Sequence, residues 1–296
     1  MEINEAISKY FTYLIAEKGL TKNTIDSYQE DLKFFFKSFD DIKDTSSLDE
    51  SLLEEWAIYE GEKGLSPSSI ARRLSSVKGF FLFLTKEGIN KISINKTPFP
   101  KKKKTLPVVL TSEELSSLLN SIDINKKGGE RDLAMILFMY STGVRVSELL
   151  SLKLDDVSFS KRIVLIRSGK GSKQRSVPIN ELSLNTLNNY IKGERKENVG
   201  KKSPFLFLNK FGKPISRNYF FLLIKKYAKK ANINKNIHPH TLRHSFATSL
   251  LENGANLIAV KEMLGHSHLE TTQIYTNVSS KTIKKDYEKV FSKSKK

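Results

Sequence analysis

The sequence contains no cysteine among its 296 residues. It can therefore form no disulfide, and it offers no thiolate as a nucleophile or metal ligand. It also lacks a long hydrophobic run, since the apolar stretch at 134–140 is far too short to cross a bilayer. The first residues, M-E-I-N-E-A, lack the basic and then apolar pattern of a secretory signal. These absences predict a cytoplasmic protein with no membrane partner.

Negative charge is scarce and unevenly distributed. The chain has 50 Lys and Arg against 32 Asp and Glu, a net charge of +18. Residues 1–87 carry 11 Lys and Arg against 16 Asp and Glu, a net charge of −5, which leaves +23 for the remainder. The excess favours a polyanionic partner, most often nucleic acid, and the change of sign indicates two domains. A lysine-rich composition is the alternative explanation, because only ten of the cations are arginine.

The first region is predicted to be a bundle of about four helices. The apolar residues of 3–15 repeat at helical period, and Thr21 is a typical cap for a second helix. A third helix is expected around Trp56. The fourth begins at Ser66-Pro67 and ends at Gly88, with proline in its first turn.

Residues 89–107 carry three prolines and four consecutive lysines and are predicted to be a linker between domains at 1–88 and 108–296. Its lysines could bind phosphates or could simply solvate a hinge. The second domain is predicted to start with a capping box at Thr111 and to have a helix over 130–141. A β-hairpin over 162–179 follows, with Lys170 at its tip, and helices continue from 181. The fold class is thus mainly α with a small antiparallel sheet.

All five histidines of the chain lie in one short stretch, as His238, His240, His244, His266 and His268. The H-x-H spacing is compatible with metal ligands, but Arg243 lies within the cluster and a fixed cation disfavours a divalent metal. The H-E-x-x-H motif is absent as well. We therefore predict no metal and no cofactor. Considered alone, each of His238, His244 and His268 is more often structural than catalytic.

An anion site is the alternative that the residues favour. The guanidinium of Arg243 offers a planar fork of donors for phosphate oxygens, and His240, three residues earlier, shares its face on a helix. Arg145 follows a glycine turn and can point inward to an anion, with Glu148 one helical turn later to hold it. An ordinary surface salt bridge between Arg145 and Glu148 would have the same spacing. Lys170 does not belong to a Walker loop, which needs another glycine and a Ser or Thr. It is either an exposed turn lysine or a group that reaches over a substrate.

Several motifs together resemble the tyrosine recombinases, the phage integrase family, and most of all their Xer-type chromosome-dimer resolvases. They are T-G-V-R-V-S-E-L, S-G-K-G-S-K, H-T-L-R-H-S-F-A-T and L-G-H-S-H-L-E-T-T-Q-I-Y-T. In the first region, G-L-T-K-N-T-I-D-S-Y-Q-E-D-L-K-F-F and S-P-S-S-I-A-R-R-L-S-S-V-K-G-F-F resemble two helices of the family's core-binding domain. The resemblance implies a SAM-like helical core-binding domain and a catalytic domain with a C-terminal exchange helix.

The resemblance also implies the site residues. The activating set would be Arg145, Lys170, His240, Arg243 and His266, with Tyr275 as the nucleophile that forms a 3′-phosphotyrosine. The cations that match on the two N-terminal helices, expected to contact double-stranded DNA, are Lys22, Arg72, Arg73 and Lys78. Solvation of the surface is the alternative for Arg72 and Arg73. The tail has an apolar stripe at Ile283, Tyr287, Val290 and Phe291. The resemblance implies that it docks on a neighbouring protomer, in a tetramer of this chain alone or together with a paralogue. The alternative is that it packs on its own domain.

Three other functions are weighed against chromosome-dimer resolution. An integrase of a transposon or other mobile element would use the same chemistry on another target. A non-catalytic DNA-binding protein would not require Tyr275 and both arginines. A metal-dependent hydrolase would lose activity to a chelator. A DNA translocase is an expected activator of a Xer-type enzyme.

Overall fold

The structure, a computed structural model, describes residues 1–92, 108–167, 174–197, 203–265 and 287. The chain divides into two compact units, Met1–Thr105 and Leu106–Lys296. The predicted fold class, a helical N-terminal domain followed by a mostly helical domain with a small sheet, is confirmed. In the part of the chain that is described, no helix is both long and apolar enough to cross a membrane.

The first unit is a bundle of four helices, α1 (Ile3–Ala16), α2 (Lys22–Ser38), α3 (Ser51–Glu62) and α4 (Pro67–Lys86). The predicted cap at Thr21 is present, with its hydroxyl accepting from the backbone N–H of Thr24. Helix α4 starts at Pro67 as predicted, and the Ser66 hydroxyl accepts from the backbone N–H of Ser69. The helices enclose a core rich in aromatic side chains, among them Tyr10, Phe35, Trp56, Phe80 and Phe81. Helix α4 packs against the other three and so forms the centre of the bundle.

The second unit begins with α5 (Ser112–Asn120), which has the predicted capping box at Thr111. The elements that follow are α6 (Gly129–Thr142), α7 (Val146–Ser151), β1 (Val157–Ser158), β2 (Ile163–Ile166), β3 (Arg175–Pro178), α8 (Glu181–Lys192), α9 (Glu194–Glu197), α10 (Arg217–Lys230), α11 (Pro239–Glu252) and α12 (Leu257–Leu264). The helical prediction from 181 onward is interrupted by the segment 203–216, which has only isolated β-bridges.

The three strands form an antiparallel sheet in the order β1-β2-β3. The predicted hairpin is present as β2 and β3, with Ile166 opposite Arg175 at the end nearest the turn. The two-residue strand β1 was not predicted, because two residues are too few to show an alternating pattern. Lys170 lies outside the described residues, in the connection between β2 and β3.

Helix α6 is the central element of the second unit and packs against α8 and α11. It ends at Gly143, which has a φ of +61°. A Cβ there would come within 2.3 Å of the Phe246 ring on α11. Glycine therefore both permits the left-handed turn and lets α11 approach. The turn brings the residues after Gly143 beside α11, where the candidate site lies.

Candidate active site

Arg243 is held at the buried side of the site. It lies on α11 and is 8% exposed. Its Nη1 donates to the carbonyl of Gly143 at 2.6 Å and its Nη2 to the carbonyl of Leu264 at 2.6 Å. Burial, together with the nearby Arg145, lowers the pKa of Arg243 to about 10. The guanidinium thus stays charged at neutral pH, with neutral carbonyls rather than a carboxylate as its hydrogen-bond partners.

Arg145 occupies the N-cap position of α7 and is the more accessible of the two arginines, with its side chain 38% exposed. Its Nη2 donates to the carbonyl of Gly265 at 2.7 Å, and its Nη1 to Glu148 Oε1 at 3.1 Å. The predicted brace by Glu148 is therefore present. Arg145 and Arg243 bind adjacent carbonyls, those of Gly265 and Leu264 at the end of α12, so the two guanidiniums converge.

Arg175, on β3, is a member of this cluster that sequence reasoning missed. Its Nη1 and Nη2 donate to the two carboxylate oxygens of Glu148, each at 2.8 Å, and its Nε donates to the carbonyl of Met263 at 2.7 Å. Burial raises the pKa of Glu148, but hydrogen bonds from Arg175 and Arg145 outweigh it and hold the pKa below its usual value. The one available signal was Arg175's place five residues after Lys170 in a chain with few arginines.

The histidines on α11 have separate roles. His238 caps the helix, with its Nδ1 accepting from the backbone N–H of Thr241 at 3.3 Å. Burial, then the neighbouring His240 and Lys225, lower the pKa of His238, so it is neutral at pH 7. His240 is exposed, and its ring centroid lies 6.2 Å from that of His238. His240 and Arg243 are both on α11 at the predicted spacing of three residues.

Three of the predicted catalytic residues, Lys170, His266 and Tyr275, lie outside the described residues, as does His268. Residue 266 directly follows Gly265, whose carbonyl binds Arg145. Across the described ranges, no group of three or more His, Asp or Glu side chains is arranged to hold a metal ion.

Two guanidiniums held side by side suit a reaction in which negative charge builds up on a phosphoryl group. Each has a fixed orientation before substrate arrives, so little reorganisation is needed in the transition state. Arg145 is also accessible enough to meet a ligand. The arrangement can therefore bind and activate a phosphodiester through side chains alone.

Comparison with protein families gives two matches that cover most of the chain. The model of the phage integrase family matches residues 108–282, and that of the phage integrase N-terminal SAM-like domain matches residues 7–88. The chain belongs to the phage integrase family. It is a tyrosine recombinase, a site-specific enzyme that cleaves and rejoins DNA.

Several individual proteins resemble this tyrosine recombinase over nearly its full length. The tyrosine recombinase XerD of Staphylococcus aureus (strain N315) is 42% identical over 285 residues, which is 95% of this chain and 96% of XerD. The crystal structure of XerH bound to difH substrate superposes with a TM-score of 0.66 at 27% identity, covering 92% of this chain and 82% of XerH. The Tn1549 transposon integrase in complex with a circular intermediate DNA has a TM-score of 0.72 at 24% identity, covering 96% and 98%, a likeness of fold.

The candidate DNA contacts of this recombinase lie on α2 and α4 of the first unit. Lys22 is exposed at the start of α2, and Lys78 is half-buried on α4. Arg72 is bound on both sides of its fork by the Asp31 carboxylate, each bond 2.7 Å long. Hydrogen bonding to Asp31 raises the pKa of Arg72. Arg72 nevertheless keeps 54% of its side chain exposed, so one face can meet a phosphate.

Arg73 is more enclosed, with 22% of its side chain exposed. It pairs with the buried carboxylate of Glu60 and lies over the ring of Phe34, 4.7 Å from the centroid. Its guanidinium thus joins α4 to α2 and α3 within the bundle. The predicted role of Arg73 in DNA contact therefore competes with a structural role that the sequence did not indicate.

Proposed function

We propose that this recombinase is a Xer-type enzyme that works in the cytoplasm on double-stranded DNA and resolves chromosome dimers before cell division. The observation that carries its chemistry is the convergence of Arg145 and Arg243 on adjacent carbonyls at the end of α12. The 42% identity to a XerD over 95% of this chain supports the Xer-type role over that of a mobile-element integrase. The likeness to the Tn1549 integrase, at 24% identity, supports the fold alone.

The two arginines bind the non-bridging oxygens of the scissile phosphate. A phosphodiester resists attack because its negative charge repels nucleophiles and its alkoxide is a poor leaving group. Arg145 and Arg243 offset that charge and stabilise the further negative charge of the transition state. His266 donates an additional hydrogen bond to the same phosphoryl group.

Tyr275 is the nucleophile. Its oxygen forms a bond to phosphorus, giving a 3′-phosphotyrosine, while the bond from phosphorus to the 5′-oxygen breaks. His240 accepts the tyrosine proton, and Lys170 donates a proton to the leaving 5′-oxygen. A 5′-hydroxyl of the partner strand then reverses these steps and rejoins the DNA. The covalent intermediate conserves the bond energy, so the reaction consumes no ATP, and the cations come from side chains.

DNA contacts come from both units. Lys22, Arg72, Arg73 and Lys78 bind phosphates in the first unit, and the strongly basic remainder of the chain supplies the larger electrostatic share. Because Arg72 and Arg73 are already paired with carboxylates, each contributes less affinity than an unpaired cation would.

The active assembly is a tetramer on two DNA sites, made of this chain alone or together with a paralogue and activated by a DNA translocase. Tyr287 is the described residue of the tail. It is 2% exposed, packs against Phe246 and donates to the carbonyl of Ser141 at 2.8 Å within its own unit. Deletion of residues 280–296 should leave single-site binding but weaken pairing of two sites. Deletion of 288–296, which retains Tyr287, is the matched comparison; unchanged pairing in both would contradict a role for the tail.

The cleavage chemistry can be tested on a nicked suicide substrate. The binding site is first selected from random DNA with the Tyr275→Phe protein. The nicked duplex is then incubated in EDTA with wild type, Tyr275→Phe, or Tyr59→Phe, an exposed tyrosine of the first unit. A covalent protein–DNA band from wild type and Tyr59→Phe, but not from Tyr275→Phe, is expected. Strand cleavage without a covalent band, seen only when a divalent metal replaces EDTA, would indicate a hydrolase. Binding without cleavage in either condition would indicate a non-catalytic DNA-binding protein.

The chromosomal role can be tested in cells. Chromosome dimers arise from homologous recombination, so loss of this recombinase should raise the fraction of cells with undivided chromosomes. The defect should disappear when homologous recombination is also removed. Normal segregation in the deletion strain, with mobility of a genetic element lost instead, would favour the integrase.

A further inference from the structure

Three arginines meet at the C-terminal end of α12. The carbonyls of Met263, Leu264 and Gly265 accept hydrogen bonds in turn from Arg175, Arg243 and Arg145. These carbonyls carry the negative end of the helix dipole. The helix end therefore offsets part of the repulsion among three guanidiniums and fixes each of them by a separate bond.

Two of these arginines, Arg145 and Arg175, share the carboxylate of Glu148. Its oxygens accept four hydrogen bonds: one from the backbone N–H of Arg145, one from the Arg145 guanidinium and two from Arg175. The two parallel bonds from Arg175 fix the plane of the carboxylate. A fixed plane leaves Arg145 one orientation in which its own bond to Glu148 is well aligned.

Arg175 is placed differently from Arg145. All three of its guanidinium nitrogens donate to Glu148 or to Met263, and its side chain is 11% exposed, against 38% for Arg145. The donors are thus directed into the protein. A guanidinium used in this way orients its neighbours and does not bind substrate.

Resting on the proposed function, we propose that Arg175 is a positioning residue that acts through Glu148 and the end of α12 to hold the Arg145 guanidinium in the orientation needed for phosphoryl transfer. The location of Arg175 adds a second consequence. It is the first residue of β3, the strand that follows the connection carrying Lys170, so one side chain links that hairpin to α7 and α12. The hairpin, Arg145 and the residue before His266 are then fixed relative to one another.

The test compares Arg175→Lys with Arg167→Lys. Lysine keeps the charge but cannot form the bidentate fork. Arg167, just after β2 in the same hairpin, also pairs with a buried carboxylate, that of Asp156, but does not contact Glu148 or α12. For each variant we would measure the melting temperature, the Kd for the selected DNA, and the single-turnover rate of covalent complex formation at saturating DNA.

Arg175→Lys should lower the cleavage rate at least about tenfold while the Kd stays within about threefold of wild type. Arg167→Lys should leave both the cleavage rate and the Kd within about threefold of wild type. A purely structural role of Arg175 would lower the melting temperature and leave the cleavage rate of the folded protein unchanged, and that result would overturn the proposal.

A measurement without DNA cleavage separates this proposal from the proposed function. The Nε–Hε NMR signals of Arg145 and Arg243, assigned by mutation, report the orientation of each guanidinium in the free protein. The Arg145 signal should shift or broaden in Arg175→Lys and stay in place in Arg167→Lys. If wild type forms no covalent complex, the proposed function fails, but the NMR comparison still tests whether Arg175 orients Arg145. An unchanged Arg145 signal in Arg175→Lys would refute the positioning role.

Discussion

The first unit and the candidate site treat their arginines in opposite ways. In the first unit, Arg72 and Arg73 pair with the carboxylates of Asp31 and Glu60, both of which are buried. In the second unit, Arg243 binds two carbonyls, while Arg145 and Arg175 share the single carboxylate of Glu148. A carboxylate cancels a guanidinium's charge, whereas a carbonyl orients the group and leaves the charge in place. The three guanidiniums of the candidate site thus retain net positive charge for a ligand, whereas Arg72 and Arg73 chiefly join the helices of the first unit.

The largest effect that tests this comparison is expected from Arg243→Lys. A lysine keeps one positive charge but cannot donate to Gly143 and Leu264 while also facing a phosphate. We expect covalent complex formation to fall by about 10²–10³-fold, the usual loss for one donor to a developing anion. Single-turnover cleavage of the nicked DNA gives the rate, with the Kd measured alongside. A rate close to wild type would mean that charge alone suffices and that the carbonyl-held fork is dispensable.

The second prediction concerns the carboxylate that neutralises Arg72. Asp31→Asn leaves the guanidinium without its charge partner inside the α2–α4 contact. The free energy of unfolding should fall by about 1–3 kcal/mol, as measured by denaturant titration. DNA affinity at low salt should hold or rise, because Arg72 becomes available to phosphates.

Glu30→Gln is the matched control, because it removes one carboxylate from an exposed position next to Asp31. If Asp31→Asn instead abolished DNA binding while the protein remained folded, the first unit's arginines would depend on their carboxylates for DNA contact. The contrast between the units would then fail.

The sequence distance between contacting residues explains which contacts could be predicted from the sequence. Arg145 with Glu148, and His240 with Arg243, are three residues apart, so helical geometry alone places each pair on one face. The partners of the other arginines are distant: Arg175 lies 27 residues from Glu148 and 88 from Met263, and Arg72 lies 41 from Asp31. No local period signals such contacts. The helices and the hairpin, whose patterns are local, were predicted, as was the Arg145–Glu148 pair. The bonds of Arg175 to Glu148 and Met263 and the pairing of Arg73 with Glu60 were not.

A smaller effect is expected from Gly265→Ala, which tests how tightly α12 and Arg175 are packed. Gly265 has a φ of +65°, and a Cβ there would lie 3.0–3.2 Å from three guanidinium atoms of Arg175. The backbone penalty should cost about 1–2 kcal/mol of stability. Gly254→Ala is the matched control, with a φ of +82° and no atom within 4 Å of an added Cβ.

Both variants should therefore lose similar stability in denaturant titration, but Gly265→Ala alone should also slow DNA cleavage, because Arg175 and the Gly265 carbonyl must shift. Equal cleavage rates in the two variants would mean that this end of α12 tolerates displacement.

The smallest effect is a pH dependence that arises from His238. Because the pKa of His238 is lowered in the folded state, the unfolded chain binds the proton more readily. The stability that the neutral cap contributes is fully present above the unfolded pKa of about 6.5 and is lost as the pH falls through that value. His238→Asn keeps an N-cap acceptor but cannot be protonated. Its free energy of unfolding, from denaturant titration, should therefore equal that of wild type at pH 8 and exceed it by at most about 1 kcal/mol near pH 5.5. Parallel curves for the two proteins across that range would mean that His238 accommodates a proton beside His240 and Lys225, so that this part of the second unit tolerates a further uncompensated cation.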